Sequence, residues 1–240
     1  MSSDQHHLQL RTLRMEDYPA IRRLMDIVYP DLDGAWPRQV IASLIQRFPE
    51  AQFGIEDNGS IVAAALTVRV SYQRFSSAHT YAELMESDGL VLHNPDGDAM
   101  YGLDVFVDPA YRGFRLGRRL YDARKELCRE ANFRAILAGG RIPGYHAHAA
   151  EMSPQAYIGR VQSHELHDPI LDFQLANDFQ VKRVLEDYNP DDRKSRGNAT
   201  LLEWVNIFYQ RNPAAIANSA KRQVRLGMVQ WQMRRADSLE

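Results

Sequence analysis

Hydrophobic and polar positions alternate over residues 103–107, where the run Leu103-Asp104-Val105-Phe106-Val107 stops at Asp108-Pro109. A period of two predicts a β-strand, and the strand ends here because proline cannot donate to a ladder. Apolar residues then recur at helical spacing, at Leu116, Leu120, Ala123, Leu127 and Ala131. The pattern therefore predicts a strand, a glycine-containing loop and a helix, in that order.

The same two periods organise the preceding residues. Leu8 and Leu10 predict a first strand, and two amphipathic helices follow. Their apolar positions are Ile21, Leu24, Met25 and Val28 in the first helix and Val40, Ile41, Leu44, Ile45 and Phe48 in the second. Asn58-Gly59 is a strong hairpin turn between a strand near residues 53–55 and a strand over residues 61–70.

Shorter signals follow the central helix. Residues 135–138 predict a strand that breaks at Gly139-Gly140. Ser153-Pro154 and Asp168-Pro169 each combine a cap residue with proline in the first helical turn, so two more helices are expected. The last predicted strands lie near residues 179–181 and 200–202.

The loop after the central strand is rich in positive charge, from Arg112, Arg115, Arg118 and Arg119. A guanidinium group matches phosphate geometry, and the start of a helix leaves N–H groups unpaired. Gly113 and Gly117 allow a ligand to approach those groups. The spacing fits neither the P-loop nor the dinucleotide fingerprint. It predicts a site for a phosphate-rich ligand, and a solvated arginine face is the alternative interpretation.

The strand and loop resemble motif A of the GNAT acyl-CoA-dependent N-acetyltransferases, in which a strand ending in Val-x-Pro precedes Arg/Gln-x-x-Gly-x-Gly/Ala. Val107-Asp108-Pro109, Arg112 and Gly117 match the motif, whereas Arg115 replaces its middle glycine. The order of elements resembles the family over most of residues 8–209. The resemblance implies an α/β (α+β) fold with a mixed, mostly antiparallel central sheet, splayed middle strands and flanking helices.

The resemblance also implies acetyl-CoA as cosubstrate and direct transfer of the acetyl group to a primary amine of an unknown acceptor. The backbone of Val105, Phe106 and Val107 would lie along the pantetheine arm, in the gap between the splayed strands. The pyrophosphate would lie among Arg112, Gly113, Phe114, Arg115, Leu116, Gly117 and Arg118. The family often has a tyrosine that donates a proton to the CoA thiolate where this chain has Gln174, and Gly-Phe where it has Asp178-Phe179.

Two side chains are candidates for acid–base catalysis. Tyr188 follows the strand that faces the cleft in the family's fold and is a candidate acid, with a boundary aromatic as the alternative. Asp104 lies on the opposite strand face from Val105 and is a candidate base, with a carboxylate satisfied inside the sheet as the alternative. Candidates to line the acceptor pocket, or to attract a cationic acceptor, are His146, His148, Glu151, Asp31 and Asp33.

Composition narrows the class of protein. The 240 residues are 45% hydrophobic and 25% charged, which is typical of a globular protein. A net charge of −2 argues against nucleic acid or an anionic membrane as partner. The one cysteine, Cys128, excludes an intramolecular disulfide and is interpreted as a packing residue. With no long apolar run, no signal-peptide pattern and no metal-ligand spacing, we expect a cytoplasmic enzyme without metal, and a homodimer is one assembly open to it.

The composition changes near the end of the chain. Residues 213–222 have linker composition, and residues 223–240 contain a buried-strand pattern that resembles the opening strand of nitrilase-type carbon-nitrogen hydrolases. We therefore predict a GNAT domain over residues 1–212, a linker over 213–222, and the first strand of a truncated hydrolase-like domain over 223–240. This arrangement keeps a second hypothesis open, a non-catalytic acyl-CoA-binding sensor or interaction domain that serves the hydrolase.

Overall fold

The computed structural model describes residues 6–29, 35–86 and 89–211. The described residues up to Tyr209 belong to one compact unit. The predicted linker, residues 213–222, and the predicted hydrolase-like strand, residues 223–240, lie outside the described residues. Asp31 and Asp33 also lie outside them.

Seven strands of the described chain form one sheet. They are β1 (Leu8–Thr12), β2 (Phe53–Asp57), β3 (Ser60–Val70), β4 (Ala99–Val107), β5 (Ala135–Arg141), β6 (Gln180–Leu185) and β7 (Ala199–Val205). Their order across the sheet is β1-β2-β3-β4-β5-β7-β6. β4 and β5 pair in parallel, whereas the other neighbouring strands pair antiparallel. The mixed, mostly antiparallel sheet is as predicted.

Helices cover both faces of the sheet. They are α1 (Tyr18–Val28), α2 (Arg38–Arg47), α3 (Tyr72–Phe75), α4 (Leu116–Glu130), α5 (Pro154–Gln162) and α6 (Leu171–Leu175). Alternate residues of β3 show the two layers: Ala64 and Leu66 belong to the core cluster of α1 and α2, while Ala63 and Ala65 belong to the cluster of Leu116 and Leu120 on α4. β3 is apolar on both faces because each face is covered.

The two central strands part halfway along their length. β4 and β5 pair only from Met100 and Ile136 to Gly102 and Ala138. In the ladder with β3, Leu66 pairs with Asp104 and Thr67 with Gly102, so that Leu103 is an extra residue in β4. A bulge of this kind bends its strand. The splayed middle strands expected of the fold are therefore present, and the gap opens beside Leu103.

Most predicted boundaries hold. The Asn58-Gly59 hairpin is confirmed, with φ of 49° and 84° at its two residues. The start of β4 was predicted too late, because the strand already begins at Ala99. The predicted break at Gly139-Gly140 is wrong: β5 runs on to Arg141, since both glycines pair with β7. The predicted apolar stripe of α4 also ends early, because Ala131 is exposed.

The polar caps and the cysteine behave as their sequence context indicates. The Ser153 hydroxyl accepts the Ala156 N–H at 3.2 Å and caps α5. One carboxylate oxygen of Asp168 accepts the N–H groups of Ile170 and Leu171, both at 3.0 Å, just before α6. Cys128 is fully buried, and burial raises the pKa of its thiol to about 12, as suits a packing residue.

Candidate functional site

Residues 108–119, here called the arginine loop, connect β4 to the first turn of α4. The Asp108 carboxylate accepts the Ala110 N–H at 2.9 Å and closes a short turn. Gly113 and Arg115 then take positive φ values of 91° and 57°. Glycine adopts such a conformation at no steric cost, whereas in arginine it brings the Cβ atom close to the backbone and costs free energy. Arg115, which replaces the middle glycine of the family motif, therefore has a left-handed backbone, the conformation that glycine adopts most easily.

The arginine loop is held against the last residue of β2, Asp57, and against His6, which precedes β1. The Tyr111 hydroxyl donates to the Asp57 carboxylate at 2.8 Å, and the His6 ring contacts both that carboxylate and the Phe114 ring. Hydrogen bonds from His6, from the His7 backbone N–H and from Tyr111 hold the pKa of Asp57 low, at about 2. The carboxylate is thus ionised at neutral pH and anchors the loop.

The charges of the arginine loop remain available. Arg112, Arg115, Arg118 and Arg119 are exposed, and none of them forms an ion pair within the described ranges. The N–H groups of the first turn of α4 precede its first helical hydrogen bond, from Arg119 N–H to the Arg115 carbonyl at 3.1 Å. Open N–H groups and free guanidinium groups together favour a bound anion.

A cavity of about 180 Å³, here called the seam cavity, occupies the gap between β4 and β5. It is lined by Gly102, Leu103, Asp104 and Val105 of β4, by Ala138, Gly139 and Arg141 of β5, and by Tyr29, Tyr121, Arg124, Pro169, Ile170, Phe173 and Gln174. The Phe173 ring also packs against Gly117, where a Cβ would lie only 2.9 Å from the ring. The seam cavity and the arginine loop are therefore neighbours.

Arg124 holds the bulge of β4 in place. Its guanidinium is buried and donates to the carbonyls of Leu66 and Asp104, at 2.5 and 2.7 Å, and to the Thr67 hydroxyl at 2.9 Å. Burial lowers the pKa of this arginine to about 10, which still leaves it charged at neutral pH. The sequence signal was a charged residue inside the apolar stripe of α4, and sequence analysis missed it.

A second cavity, of about 440 Å³, is here called the tyrosine cavity. Its aromatic lining is Tyr29, Trp36, Tyr81 and Tyr188, and its charged lining is Asp104, Arg141, Asp191 and Asp192. The two cavities share Tyr29, Leu103, Asp104, Gly139 and Arg141. Both predicted catalytic side chains, Asp104 and Tyr188, line the tyrosine cavity, and Asp104 also lines the seam cavity.

The Asp104 carboxylate is hydrogen-bonded through both oxygens. The Tyr29 hydroxyl donates to one oxygen at 2.5 Å, and the Trp36 indole N–H donates to the other at 3.3 Å. Burial raises the pKa of Asp104, and the two hydrogen bonds only partly offset the rise. These contacts match the alternative interpretation, a carboxylate whose hydrogen bonds are satisfied inside the protein. This carboxylate lies where the two cavities meet.

Tyr188 packs on the glycine that the cavities share. A Cβ at Gly139 would overlap the Tyr188 ring and hydroxyl, so no other residue fits at position 139 without displacing the tyrosine. The Tyr188 hydroxyl lies 3.0 Å from the Tyr101 hydroxyl. Burial raises the pKa of Tyr188, which keeps the hydroxyl protonated at neutral pH. The close approach expected at Gly139 is thus made by a side chain of the same chain.

Arg141 and Asp192, which sequence analysis did not single out, form the ion pair of the tyrosine cavity. The guanidinium donates to both carboxylate oxygens at 2.7 Å, and the Ser195 hydroxyl adds a bond at 2.6 Å. Burial alone would raise the pKa of Asp192, but the bonds from Arg141 and Ser195 outweigh burial and lower it. The pair is therefore ionised, and each partner neutralises the other.

Other candidate residues lie elsewhere. His146, His148 and Glu151 line neither cavity, so the structure does not support them as acceptor-pocket residues. Gln174 lines the seam cavity beside Tyr121, with a buried side-chain oxygen that has no partner. Within the described ranges, no three histidine, cysteine, aspartate or glutamate side chains form a group that could hold a metal ion. No helix in the part of the chain that the structure describes is long and apolar enough to cross a membrane.

The chain matches a known protein family and a bacterial relative. Residues 15–150 match the model of the Acetyltransferase (GNAT) family. The chain belongs to this family. The chain is also 32% identical to the uncharacterized N-acetyltransferase YkwB of Bacillus subtilis (strain 168) over 176 residues, which cover 73% of this chain and 77% of YkwB. The predicted family is confirmed, and these similarities support the predicted enzyme class, a GNAT N-acetyltransferase.

A longer relative also matches. The chain is 36% identical over 231 residues to the probable hydrolase YhcX of Bacillus subtilis (strain 168), a match that covers 96% of this chain. The chain spans only 45% of YhcX. A fusion with a hydrolase-type partner is consistent with this similarity.

Solved structures share the fold. The GphF GNAT-like decarboxylase in complex with isobutyryl-CoA has a TM-score of 0.71 and 22% identity, and the match covers 82% of this chain and 98% of GphF. The loading GNATL domain of CurA from Lyngbya majuscula has a TM-score of 0.72 and 21% identity, covering 83% and 98%. Both similarities support the GNAT fold.

Proposed function

We propose that the protein transfers an acyl group directly from a coenzyme A thioester, acetyl-CoA in the simplest case, to a primary amine. The observation that carries the proposal is the shared wall of the two cavities. A thioester in the seam cavity and an amine in the tyrosine cavity would meet beside Asp104 and Gly139. Holding two reactants at such a junction supplies much of the rate of an acyl transfer.

The arginine loop supplies the donor end of the proposed site. The pyrophosphate of coenzyme A carries the negative charge that Arg112, Arg115 and Arg118 would bind, together with the N–H groups of the first turn of α4. The pantetheine arm would then follow the β5-facing edge of β4 at Val105, because β4 does not pair with β5 beyond Gly102. The family membership supports this assignment.

The tyrosine cavity supplies the acceptor end. Arg141 neutralises Asp192, which leaves the exposed Asp191 and the carboxyl group of Asp104, whose pKa burial raises, as the acidic groups of the lining. Aromatic faces and carboxylates favour a cation. At neutral pH an alkyl amine enters as an ammonium ion, which suits this lining, whereas an anionic acceptor would be repelled.

Thiol release tests the proposed activity. Acetyl-CoA and a panel of primary amines should release free CoA at a rate that depends on the amine, and calorimetry at low ionic strength should detect CoA binding. Absence of heat with both CoA and acetyl-CoA would contradict the donor site.

Two alternatives give different results in the same assay. Tight binding of acetyl-CoA without thiol release for any amine would support the sensor hypothesis, which the loss of the usual tyrosine at Gln174 favours. Malonyl-CoA tests for decarboxylation, because GphF is a GNAT-like decarboxylase. Release of carbon dioxide from malonyl-CoA would support a decarboxylase, whereas release of thiol only when an amine is present would support the proposed acyl transfer.

A further inference from the structure

We propose that Tyr188, Tyr101 and His79 form a proton relay that leads from the tyrosine cavity to His79, which accepts the proton shed by the acceptor amine. The inference rests on the proposed function and adds two residues that the sequence did not indicate. Tyr188 lines the cavity and is the entry of the relay. Tyr101 and His79 act through Tyr188 and are positioning residues.

The three groups form an unbroken chain of hydrogen bonds. The Tyr188 and Tyr101 hydroxyls lie 3.0 Å apart, and the Tyr101 hydroxyl lies 2.9 Å from His79 Nε2. His79 Nδ1 lies 2.8 Å from the Ser77 carbonyl. The exposed fractions of Tyr188, Tyr101 and His79 are 7%, 1% and 6%. The middle of the relay, Tyr101, is therefore closed to water, whereas Tyr188 and His79 at its two ends keep a small exposed surface.

The direction of the relay follows from the Ser77 carbonyl. A carbonyl can only accept, so His79 Nδ1 must carry the hydrogen, and Nε2 of the neutral ring is then an acceptor. Tyr101 consequently donates to His79. The Tyr101 oxygen also accepts the backbone N–H of Gly139, and Tyr188 donates to it as well. The Tyr188 oxygen therefore keeps lone pairs with which to accept a proton from the cavity.

The surroundings set the starting protonation states. Burial lowers the pKa of His79, and this outweighs the hydrogen bond to Ser77 and the nearby Glu83, while Arg74 lowers it further. Burial raises the pKa of Tyr101 and of Tyr188, and Tyr81 adds to both shifts. At neutral pH the relay thus starts with a neutral imidazole and two protonated hydroxyls.

The proposed step balances. The ammonium ion gives one proton to the Tyr188 oxygen, as Tyr188 passes its own proton to Tyr101 and Tyr101 passes its own to His79 Nε2. The neutral amine then forms the N–C bond to the thioester carbon, the C–S bond breaks, and the second proton leaves with the thiolate as thiol. An ammonium ion and an acyl-CoA thus yield an amide, free CoA and a protonated His79, which returns its proton to solvent.

Removing the middle hydroxyl tests the relay. Tyr101→Phe keeps the buried ring but removes the bridging oxygen, so kcat should fall roughly 100-fold, within the usual contribution of general acid–base catalysis. KM for acetyl-CoA should not change, because the arginine loop is not touched. Tyr188→Phe combined with Tyr101→Phe should be no slower than the slower single variant, since both interrupt one pathway. Unchanged kcat in folded Tyr101→Phe would overturn the proposal.

The pH profile of the rate distinguishes a proton-accepting role of His79 from a purely structural one. The wild-type rate should fall as the pH drops through the lowered pKa of His79, because a charged imidazole cannot accept a proton. His79→Gln should lower the rate and abolish this acidic decline. His93→Gln is the matched control, since His93 is also a histidine whose pKa burial lowers, and it should retain the wild-type profile. An acidic decline that persists in His79→Gln contradicts the relay.

A measurement that needs no turnover keeps the relay separate from the acyl-transfer proposal. In protein labelled with ¹⁵N-histidine, NMR at neutral pH should show His79 with a protonated Nδ1 and an unprotonated Nε2. The Nε2 shift should move in Tyr101→Phe but not in His93→Gln. If the wild-type enzyme releases no thiol, the proposed function fails. A proton on Nε2 would overturn the relay whatever the thiol assay shows.

Discussion

The arginine loop leaves its arginines exposed and without ion-pair partners among the described residues, whereas the tyrosine cavity holds two of its charged groups, Arg141 and Asp192, in an ion pair. Arg112 and Arg118 have no ion-pair partner in the described chain, while Arg141 and Asp192 bind each other through two bonds of 2.7 Å. Exposed free charges contribute little to folding and can exchange water for a ligand. Buried pairs are costly to break. The difference supports the proposal that the loop serves binding and that the cavity wall serves both stability and chemistry.

The largest expected effect comes from the shared wall. Gly139→Ala places a Cβ against the Tyr188 ring and should lower kcat by roughly 100-fold, as loss of a positioned acid–base group does. The clash should also lower the free energy of unfolding by about 1–3 kcal/mol. Steady-state kinetics and denaturant unfolding measure the two effects.

Gly159→Ala is the matched control for Gly139→Ala. A Cβ at this helical position meets no atom within 4 Å. Alanine should therefore keep the activity and raise the free energy of unfolding by up to about 1 kcal/mol, because it favours helix more than glycine does. Equal activity in the two variants would show that the position of Tyr188 is irrelevant to turnover.

A second substitution measures the buried pair. Asp192→Asn leaves Arg141 without its charge partner and should lower the free energy of unfolding at neutral pH by about 2–3 kcal/mol. This loss is smaller than for a fully buried pair, because Arg141 is partly exposed. The pKa of Asp192 is lower in the folded state than in the unfolded state. Its stabilisation is therefore present above about pH 4 and is lost as the pH falls through the folded value.

The pH dependence of unfolding checks this assignment. The difference between wild type and Asp192→Asn should shrink in acid, whereas Asp122→Asn, at an exposed position of α4, should have little effect at any pH. A constant difference between wild type and Asp192→Asn from pH 7 to pH 3 would contradict an ionised pair.

Substitutions in the arginine loop should weaken substrate binding and leave stability almost unchanged. The double variant Arg112→Gln and Arg118→Gln should raise KM for acetyl-CoA at least tenfold, because a charge-assisted hydrogen bond contributes about 1.5–3 kcal/mol. Stability should stay within about 0.5 kcal/mol of wild type, since both side chains are exposed. Added salt should reduce the KM difference by screening the phosphate charge.

Arg22→Gln is the charge-matched control for the loop variant. Arg22 is exposed on α1 and lines neither cavity. Its loss should leave KM unchanged at both salt concentrations. If Arg22→Gln raised KM as much as the double loop variant, the effect would reflect overall charge and not a phosphate site.

The smallest expected effect concerns the departure from the family motif. Arg115→Gly removes the strain of an arginine in a left-handed backbone conformation, which stabilises the fold. Glycine also loses more backbone entropy on folding, so the free energy of unfolding should rise by at most about 1 kcal/mol. Loss of the guanidinium should raise KM for acetyl-CoA about twofold. Arg196→Gly, exposed with φ of 51°, is the control for the backbone effect alone. An unchanged KM in Arg115→Gly would restrict Arg115 to a backbone role.

Sequence alone determined the features that are local in the chain. The strand-loop-helix order, the Asn58-Gly59 turn and the arginines after β4 depend on residues within a few positions of each other, so periodicity and spacing were sufficient. The replacement of the motif's middle glycine by Arg115 was also visible, but its positive φ of 57° was not. These signals identified the family and predicted the donor end of the proposed site.

Tertiary structure decided the features that depend on distant pairing. Gly139-Gly140 looked like a break but lies within β5, because pairing with β7 outweighs the local preference of glycine. Tyr29, Asp104 and Tyr188 line one cavity, and His79 reaches Tyr188 through Tyr101, although these residues are far apart in the chain. Burial and hydrogen bonding across the sheet bring them together, and neither leaves a local pattern in the sequence.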